Sequence, residues 1–237
     1  MDLSPVLISM KTAAAAIIIT FFVGIAVAYW VVNMKHEKLK MIFDGILTLP
    51  LVLPPTVAGF FLLYIFGVKR PVGKLLLEFL GVKIAFSWGA TVLAAVVISF
   101  PLMYRSARGA FELVDSNLLY AGRTLGMSEW SIFWRILFPN AMSGILSGGI
   151  LAFARGLGEF GATAMIAGNI AGKTRTLPLA VYSNVAAGDM QGAYQYVLVL
   201  VVISFFVVTG MNYVTYVFQK YNFTEEVPRI KRKRKQR

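Results

Sequence analysis

Long runs of apolar residues constrain this chain more than any other feature. A helix needs about 20 consecutive apolar residues to cross a bilayer, and several runs reach that length. The mean hydropathy of the 237 residues is +0.71. Because lipid offers no hydrogen-bond partners to the backbone, such runs must be helical. The sequence therefore predicts an all-α integral membrane protein, with residues 1–237 as a single transmembrane domain.

Five transmembrane helices are predicted within that domain. The expected spans are residues 7–32, 43–68, 84–104, 139–166 and 196–218, followed by a basic tail at 219–237. The chain has no cysteine, which excludes disulfides and thiolate metal sites. Its net charge of +12 fits basic residues that flank membrane spans, and we expect no nucleic-acid partner.

The second predicted span is interrupted by prolines. Pro50, Pro54 and Pro55 lie within it, and Thr56 and Gly59 follow. A proline in a helix removes one N–H donor and clashes with the preceding turn. We therefore expect this span to be kinked or locally opened. A connecting segment, residues 69–83, comes next.

A polar segment, residues 115–139, separates the third and fourth spans. It predicts a short amphipathic helix capped by Asp115 or Ser116 and ended by a backbone turn at Gly126. A second short helix is expected to begin after Ser128 and to be interrupted by Pro139. An ordinary hairpin lying on the bilayer surface would have the same pattern.

The spacing within this segment resembles the cytoplasmic coupling loop of ABC-importer permeases. The family pattern is Glu-Ala-Ala, three residues, Gly, nine residues, Ile, any residue, Leu, Pro. Four residues match it, and Tyr120, Gly122 and Phe138 depart from it, which removes the acidic residue of the first position. The resemblance implies that the ATPase-coupling residues are Ala121, Gly122, Arg123, Thr124, Leu125, Gly126, Ile136 and Pro139.

That resemblance implies the type I ABC importer permease fold and a transport subunit that is not itself an enzyme. No P-loop occurs in the chain, so ATP would be used by a separate ATPase and this chain would bind no cofactor. The implied partners are a second copy in a homodimer, two cytoplasmic ABC ATPase subunits, an extracytoplasmic oxyanion-binding protein and the lipid bilayer.

Further blocks resemble the permeases of molybdate importers, a branch close to the sulfate permeases. They are residues 49–59, 121–126, 158–163, 168–169 and 174–178. The resemblance implies transport of molybdate, or of tungstate or sulfate as alternatives. An ATP-independent secondary transporter is the rival class, because an intramembrane acid such as Glu159 can relay protons.

One ion pair is expected inside the membrane. Arg155 and Glu159 are four residues apart, so they share a helix face and partly neutralise each other. The pair is either structural or part of a face that lines a water-accessible path between subunits. The predicted pore or gate residues are Pro54, Pro55, Thr56, Gly59, Arg155, Glu159, Phe160, Gly161 and Thr163. Gly144 and Gly148 form a GxxxG pair, which allows close helix packing.

The basic residues predict the orientation of the chain in the plasma or inner membrane. Fifteen of the 23 lysines and arginines fall on the side of segment 115–139 and the C-terminus, and seven fall on the other side. Because cytoplasmic loops are enriched in Lys and Arg, the segment and the C-terminus are expected in the cytoplasm and the N-terminus outside.

Overall fold

The computed structural model describes residues 2–234, although the side chains of residues 218, 219 and 221–237 lie outside the description. Most side chains of the predicted basic tail, residues 219–237, therefore lie outside the described residues. Described elements are the helices α1 (Ser4–Val32), α2 (Glu37–Val52), α3 (Pro55–Phe66), α4 (Pro71–Leu80), α5 (Trp88–Glu112), α6 (Ser116–Thr124), α7 (Glu129–Ile132), α8 (Phe138–Leu157), α9 (Gly161–Ile166), α10 (Leu177–Ala186) and α11 (Met190–Arg234), with a π-helical turn at Phe133–Leu137.

Four helical stretches in the described part of the chain are long and apolar enough to cross a membrane. They are Ser4–Val32, Trp88–Glu112, Glu129–Leu157 and Met190–Val217. The pair α2 and α3 makes a fifth if it counts as one span, and the two helices meet at an angle of 112°. The all-α membrane fold is therefore confirmed.

Prolines account for the bend between α2 and α3. Leu53 and Pro54 have extended backbone conformations, and Pro55 occupies the first turn of α3. Proline disfavours the helical conformation in the residue before it, so Pro54 and Pro55 together end one helix, and Pro55 starts the next. The predicted kink is confirmed.

Helix α5 lies at the centre of the bundle, with α1 and α8 packed against it. The main core cluster includes Ala28 of α1, Met103, Tyr104 and Ala107 of α5, and Ile145 of α8, all fully buried. A second cluster joins α5 to α3 and α9. The many alanines in both clusters allow close approach of the backbones, which drives helix association in lipid.

Gly144 and Gly148 lie where α8 crosses α5. A Cβ atom on Gly144 would be 2.7 Å from the Cβ of Ala110, and one on Gly148 would overlap the Cβ of Ser106. The interpretation of this GxxxG pair as a close helix contact is confirmed.

Buried hydroxyl groups connect α1 to α5. The Oγ1 atoms of Thr12 and Thr91 are 2.9 Å apart, and the indole Nε1 of Trp88 donates to Thr12 over 3.1 Å. Further along, the hydroxyls of Thr20 and Ser99 are 3.3 Å apart. Interhelical hydrogen bonds of this kind satisfy polar groups that lipid cannot.

Two sequence predictions need correction around the fourth span. Pro139 does not interrupt the helix, because the π-helical turn before it widens the backbone and the chain continues as α8. The Nδ2 of Asn140 donates to the carbonyl of Ile136, three residues before the proline, over 2.6 Å. At the other end, the span predicted to reach residue 166 stops at Leu157, and residues 161–166 form the separate helix α9.

The segment between the second and third spans is also more ordered than expected. Residues 71–80 form α4, whereas the sequence indicated only a connection. Pro71 starts this helix, and Gly81 ends it in the left-handed conformation with φ of 63°.

Candidate functional site

The coupling segment, residues 115–139, begins with α6 and its two caps. The Asp115 carboxylate accepts a hydrogen bond from the backbone N–H of Asn117, as an N-cap should. At the other end, Gly126 has φ of 76°, and the N–H of Met127 donates to the carbonyl of Gly122 over 3.1 Å. This hydrogen bond closes a Schellman motif, so Gly126 makes the turn that the sequence predicted.

Helix α6 packs on the π-helical turn through a glycine. A Cβ on Gly122 would lie 3.0 Å from Cδ1 of Ile136 and 3.2 Å from Cγ1 of Ile132. Gly122 is buried, unlike its neighbours Ala121 and Arg123. The small residue at this position is therefore explained by its contact with Ile136, and two of the predicted coupling residues touch.

An ion pair joins α6 to α7. Arg123 donates to both carboxylate oxygens of Glu129, at 2.7 Å from Nε and 3.1 Å from the second nitrogen. These hydrogen bonds raise the pKa of Arg123 above its usual value. The guanidinium also lies 5.7 Å from the ring centre of Tyr120. Arg123 thus joins α6 to α7 although the acidic residue of the family pattern is missing.

The coupling segment exposes a set of large apolar side chains. Leu125 is 80% exposed, Trp130 71% and Tyr120 59%. Thr124 is exposed beside them, and its hydroxyl donates back to the carbonyl of Tyr120 over 3.0 Å. Large apolar side chains exposed together favour contact with another protein or with the membrane surface.

The proline segment and the region around Glu159 meet in the structure. A Cβ on Gly59 would lie 2.6 Å from the Cα of Ala162 in α9. In the other direction, a Cβ on Gly161 would be 3.0 Å from the Cβ of Pro55 and 3.1 Å from the backbone N of Thr56. Two stretches about a hundred residues apart therefore form one contact, which we call the gate region, residues 54–59 and 155–163.

Glu159 is the buried acid of the gate region, with only 3% of its surface exposed. Its Oε2 accepts a hydrogen bond from Arg155 over 2.8 Å, and its Oε1 accepts one from the backbone N–H of Ala162 over 2.8 Å. The side chain of Arg155 is 33% exposed. Glu159 therefore closes an ion pair and caps α9, and the alternative that this face lines a water path stays a prediction.

Other predicted gate residues surround this pair at different depths. Thr163 is 1% exposed, whereas Pro54 and Thr56 are exposed. The ring of Phe160 lies 5.3 Å from that of Tyr182 in α10, centre to centre. The gate region thus contains both a buried part and a surface part.

Helix α8 connects the two regions. The coupling segment runs into its first residue, and Gly158 and Glu159 follow its last residue, Leu157. Its 20 residues span about 30 Å at 1.5 Å per residue. One continuous helix therefore joins the coupling segment to the gate region.

The sequence analysis missed a charged cluster between α2 and α5. Arg108 is paired with Asp44 and with Glu112, and Lys40 lies 2.9 Å from Glu112. The hydroxyl of Tyr104 donates to Asp44 over 3.1 Å. The i, i+4 spacing of Arg108 and Glu112 was a usable signal, but nothing in the sequence pointed to α2 as their partner. Among the described residues, no group of three His, Cys, Asp or Glu side chains is placed to hold a metal.

Comparison with known proteins identifies the family. Residues 16–221 match the model of the binding-protein-dependent transport system inner membrane component. The molybdenum transport system permease protein ModB of Escherichia coli K12 is 46% identical over 75% of this chain and 77% of its own length. The ModB of Azotobacter vinelandii is 34% identical over 89% and 92%.

Solved structures share the fold at low sequence identity. A chain of the inward-facing MetNI methionine ABC transporter gives a TM-score of 0.71 at 15% identity, covering 90% of this chain and 94% of that one. A chain of a bacterial ABC transporter for the polysaccharide alginate also gives 0.71, at 13% identity, over 90% of this chain and 78% of that one. This chain therefore belongs to the family of binding-protein-dependent transport system inner membrane components, the permease subunits of ABC importers.

Proposed function

We propose that this chain is the permease subunit of an ATP-driven importer for molybdate. The likeness to permeases named for molybdenum transport, up to 46% identity over three quarters of the chain, is the observation that carries the choice of substrate. Tungstate and sulfate, which are tetrahedral dianions of similar shape, are the alternatives. Sulfate is an alternative because a relative named as a probable sulfate transport system permease protein is 32% identical over 92% of this chain.

The permease works as a homodimer with one ATPase subunit at each coupling segment. The exposed Leu125, Tyr120 and Trp130 supply an apolar surface of the kind that protein partners bury. The Schellman turn and the pair of Arg123 with Glu129 hold that surface rigid. A rigid, exposed surface is what a motor subunit needs to push against.

Closure of the two ATPases on ATP moves the coupling segments, and α8 carries the motion to the gate region. The contact of Gly59 with Ala162 lies directly beyond the end of α8, so the motion changes the packing of α3 on α9. The bend of 112° at Pro54 gives α3 a hinge about which it can turn. Together these steps form an alternating-access cycle in which whole helices move as rigid bodies.

The chain itself carries no catalytic residues and binds no cofactor, and ATP is hydrolysed by the partner ATPases. An extracytoplasmic binding protein delivers the anion and sets selectivity, because a pore with strong fixed cations would hold the dianion too tightly to release it. The coupling segment and the C-terminus face the cytoplasm, and the N-terminus faces outward.

Uptake by reconstituted vesicles tests this proposal. The permease and its ATPase are placed in vesicles with ATP enclosed on the ATPase side, and the binding protein and radioactive molybdate are supplied on the opposite, outer side. We expect uptake that requires all three proteins and ATP, and that unlabelled molybdate inhibits at lower concentration than sulfate. Stronger competition by sulfate would overturn the substrate, and full uptake without the ATPase would overturn the transport class.

A further inference from the structure

The charged cluster between α2 and α5 joins the two helices by three side-chain contacts. On α2, the Nζ of Lys40 lies 2.9 Å from Oε1 of Glu112. The Asp44 carboxylate is paired with Arg108, and it accepts a hydrogen bond from the hydroxyl of Tyr104 over 3.1 Å. Within α5, the Nε of Arg108 also donates to Glu112 over 3.0 Å. Two cations and two anions therefore compensate one another between the helices.

Solvent reaches only part of this cluster. Its four charged side chains are between 19% and 39% exposed, and Tyr104 is fully buried. Partly buried ion pairs are screened by salt much less than exposed ones. Separating them inside the protein leaves each charge without compensation, which is unfavourable. These properties favour a contact that stays closed.

The rest of α2 packs loosely on the bundle. Each of its 16 residues keeps part of its surface exposed. Phe43 and Leu47 pack against the main core cluster, and both are only partly buried. Because lipid solvates apolar side chains about as well as a neighbouring helix does, such contacts position α2 weakly. The charged cluster is therefore the contact that fixes α2 on α5.

Helices α2 and α3 are the two arms of the bend at Pro54, where they meet at 112°. The α3 arm contacts α9 through Gly59 and Ala162. The α2 arm is held by the cluster, since Asp44 lies about 12 Å along the helix from its end at Val52. One arm of a hinge can turn only if the other arm is held, because otherwise both move together. The cluster holds α2 on α5, the central helix of the bundle.

We propose that Lys40, Asp44, Arg108 and Glu112 form a clamp that stays closed throughout the transport cycle and holds α2 while α3 turns about Pro54. The inference rests on the proposed function, in which ATP-driven motion reaches α9 through α8. With the clamp closed, that motion turns α3 and opens the gate region. With the clamp removed, α2 moves along with α3, and ATP is hydrolysed without opening the gate region. The four residues of the clamp are therefore positioning residues, which act on the path of the anion through α2 and α3.

The number of anions transported per ATP hydrolysed tests the proposal. Lys40→Gln with Asp44→Asn removes both charges that α2 contributes to the clamp. Lys74→Gln with Glu78→Gln removes an exposed ion pair of α4 and is the matched control. In vesicles with the partner proteins, the ratio of molybdate uptake to ATP hydrolysis should fall at least about twofold in the first double variant, the lower end of what residues between two coupled sites contribute. The control should keep the parental ratio.

The ratio separates positioning from a merely structural role. Loss of folded complexes lowers uptake and hydrolysis together and leaves their ratio unchanged, whereas loss of the clamp lowers uptake alone. A parental ratio in Lys40→Gln with Asp44→Asn would overturn the proposal.

A covalent link between the helices tests whether the clamp stays closed. The chain has no cysteine, so Lys40→Cys with Glu112→Cys places one thiol on each helix, and a short bifunctional maleimide joins them. In the assembled complex, we expect cross-linking to be equally fast with and without ATP, and the linked protein to keep the uptake rate of the unlinked double variant. Loss of uptake on cross-linking, or slower cross-linking with ATP, would overturn the clamp. A parent complex that hydrolyses ATP but moves no molybdate would instead contradict the proposed function, and the cross-linking rates would still test the clamp.

Discussion

The coupling segment and the gate region are built in opposite ways. Local hydrogen bonds and one exposed ion pair shape the coupling segment, which leaves most of its side chains in contact with the surroundings. In the gate region, backbone packs against backbone through Gly59 and Gly161, around the buried acid Glu159. Substitutions in the first region should therefore affect a partner more than the fold, and those in the second should affect both.

The largest loss of stability is expected at Glu159. Glu159→Lys places a second cation beside Arg155 and removes the cap of α9. Breaking one partner of a buried ion pair costs about 3–5 kcal/mol, so the melting temperature in detergent should fall markedly. Uptake per folded molecule should also fall in vesicles.

Glu159→Gln is the matched control, since its amide oxygen can still accept from Ala162. We expect an intermediate loss, about 1.5–3 kcal/mol for a hydrogen bond that involved a charge. Parental uptake rates per folded molecule in Glu159→Lys would mean that the ion pair is structural only, and would remove Arg155 and Glu159 from the predicted transport path.

The next largest effect on stability is expected for Gly59→Ala. The added methyl group would lie 2.6 Å from the Cα of Ala162 and 2.8 Å from its carbonyl oxygen, neither of which can move alone. Overpacking of this kind costs about 1–3 kcal/mol, measurable as a lower melting temperature. Gly45→Ala in α2 has no atom within 4 Å of the new Cβ, and it should not lower the melting temperature, because alanine is favoured over glycine inside a helix. Equal melting temperatures for the two variants would refute the close contact of α3 and α9.

A smaller loss of stability with a large loss of function is expected for Gly126→Trp. A side chain at φ of 76° costs about 1–2 kcal/mol, and the indole ring disturbs the surface next to Leu125. Insertion into the membrane should be normal. Co-purification with the ATPase and ATP-driven uptake should each fall below about a tenth of the parental value, which corresponds to a loss of more than 1.4 kcal/mol in coupling free energy. Gly188→Trp has the same strain, with φ of 80°, and should keep the ATPase bound. Unchanged uptake in Gly126→Trp would contradict the assignment of the coupling segment.

The smallest effect on stability is expected for the exposed pair of Arg123 and Glu129. Either Arg123→Glu or Glu129→Arg alone should leave the melting temperature almost unchanged, because exposed ion pairs contribute little. Each should reduce uptake a few-fold by loosening α6 from α7. The double reversal should restore most of the uptake. Failure of that rescue, with both proteins folded, would show that the pair does not fix the segment.

Structural features that depend on a few neighbouring residues could be predicted from the sequence. The N-cap at Asp115, the turn at Gly126 and the bend at Pro54 each depend on a few neighbouring residues, and all three are confirmed. The fold class followed from the apolar runs for the same reason, since each run requires a helix independently of the others.

Effects that depend on the rest of the structure were not predictable. Pro139 is accommodated because a π-helical turn precedes it, and no sequence pattern announces such a turn. The fourth span breaks after Leu157 because Glu159 turns back to cap α9. The contact of Gly59 with Ala162 and the pairing of Asp44 with Arg108 join residues far apart in the chain, and periodicity within one helix carries no information on which helices meet.

Accessibility of one introduced cysteine tests the central claim most directly. The chain has no cysteine, so Leu125→Cys, at a position 80% exposed, gives a single reactive thiol on the coupling segment. Tyr182→Cys, at a position 60% exposed in α10, is the control. We predict that binding of the ATPase slows maleimide labelling of Leu125→Cys at least tenfold, which corresponds to about 1.4 kcal/mol. The labelling rate of Tyr182→Cys should stay the same. Equal labelling of Leu125→Cys with and without the bound ATPase would contradict the account.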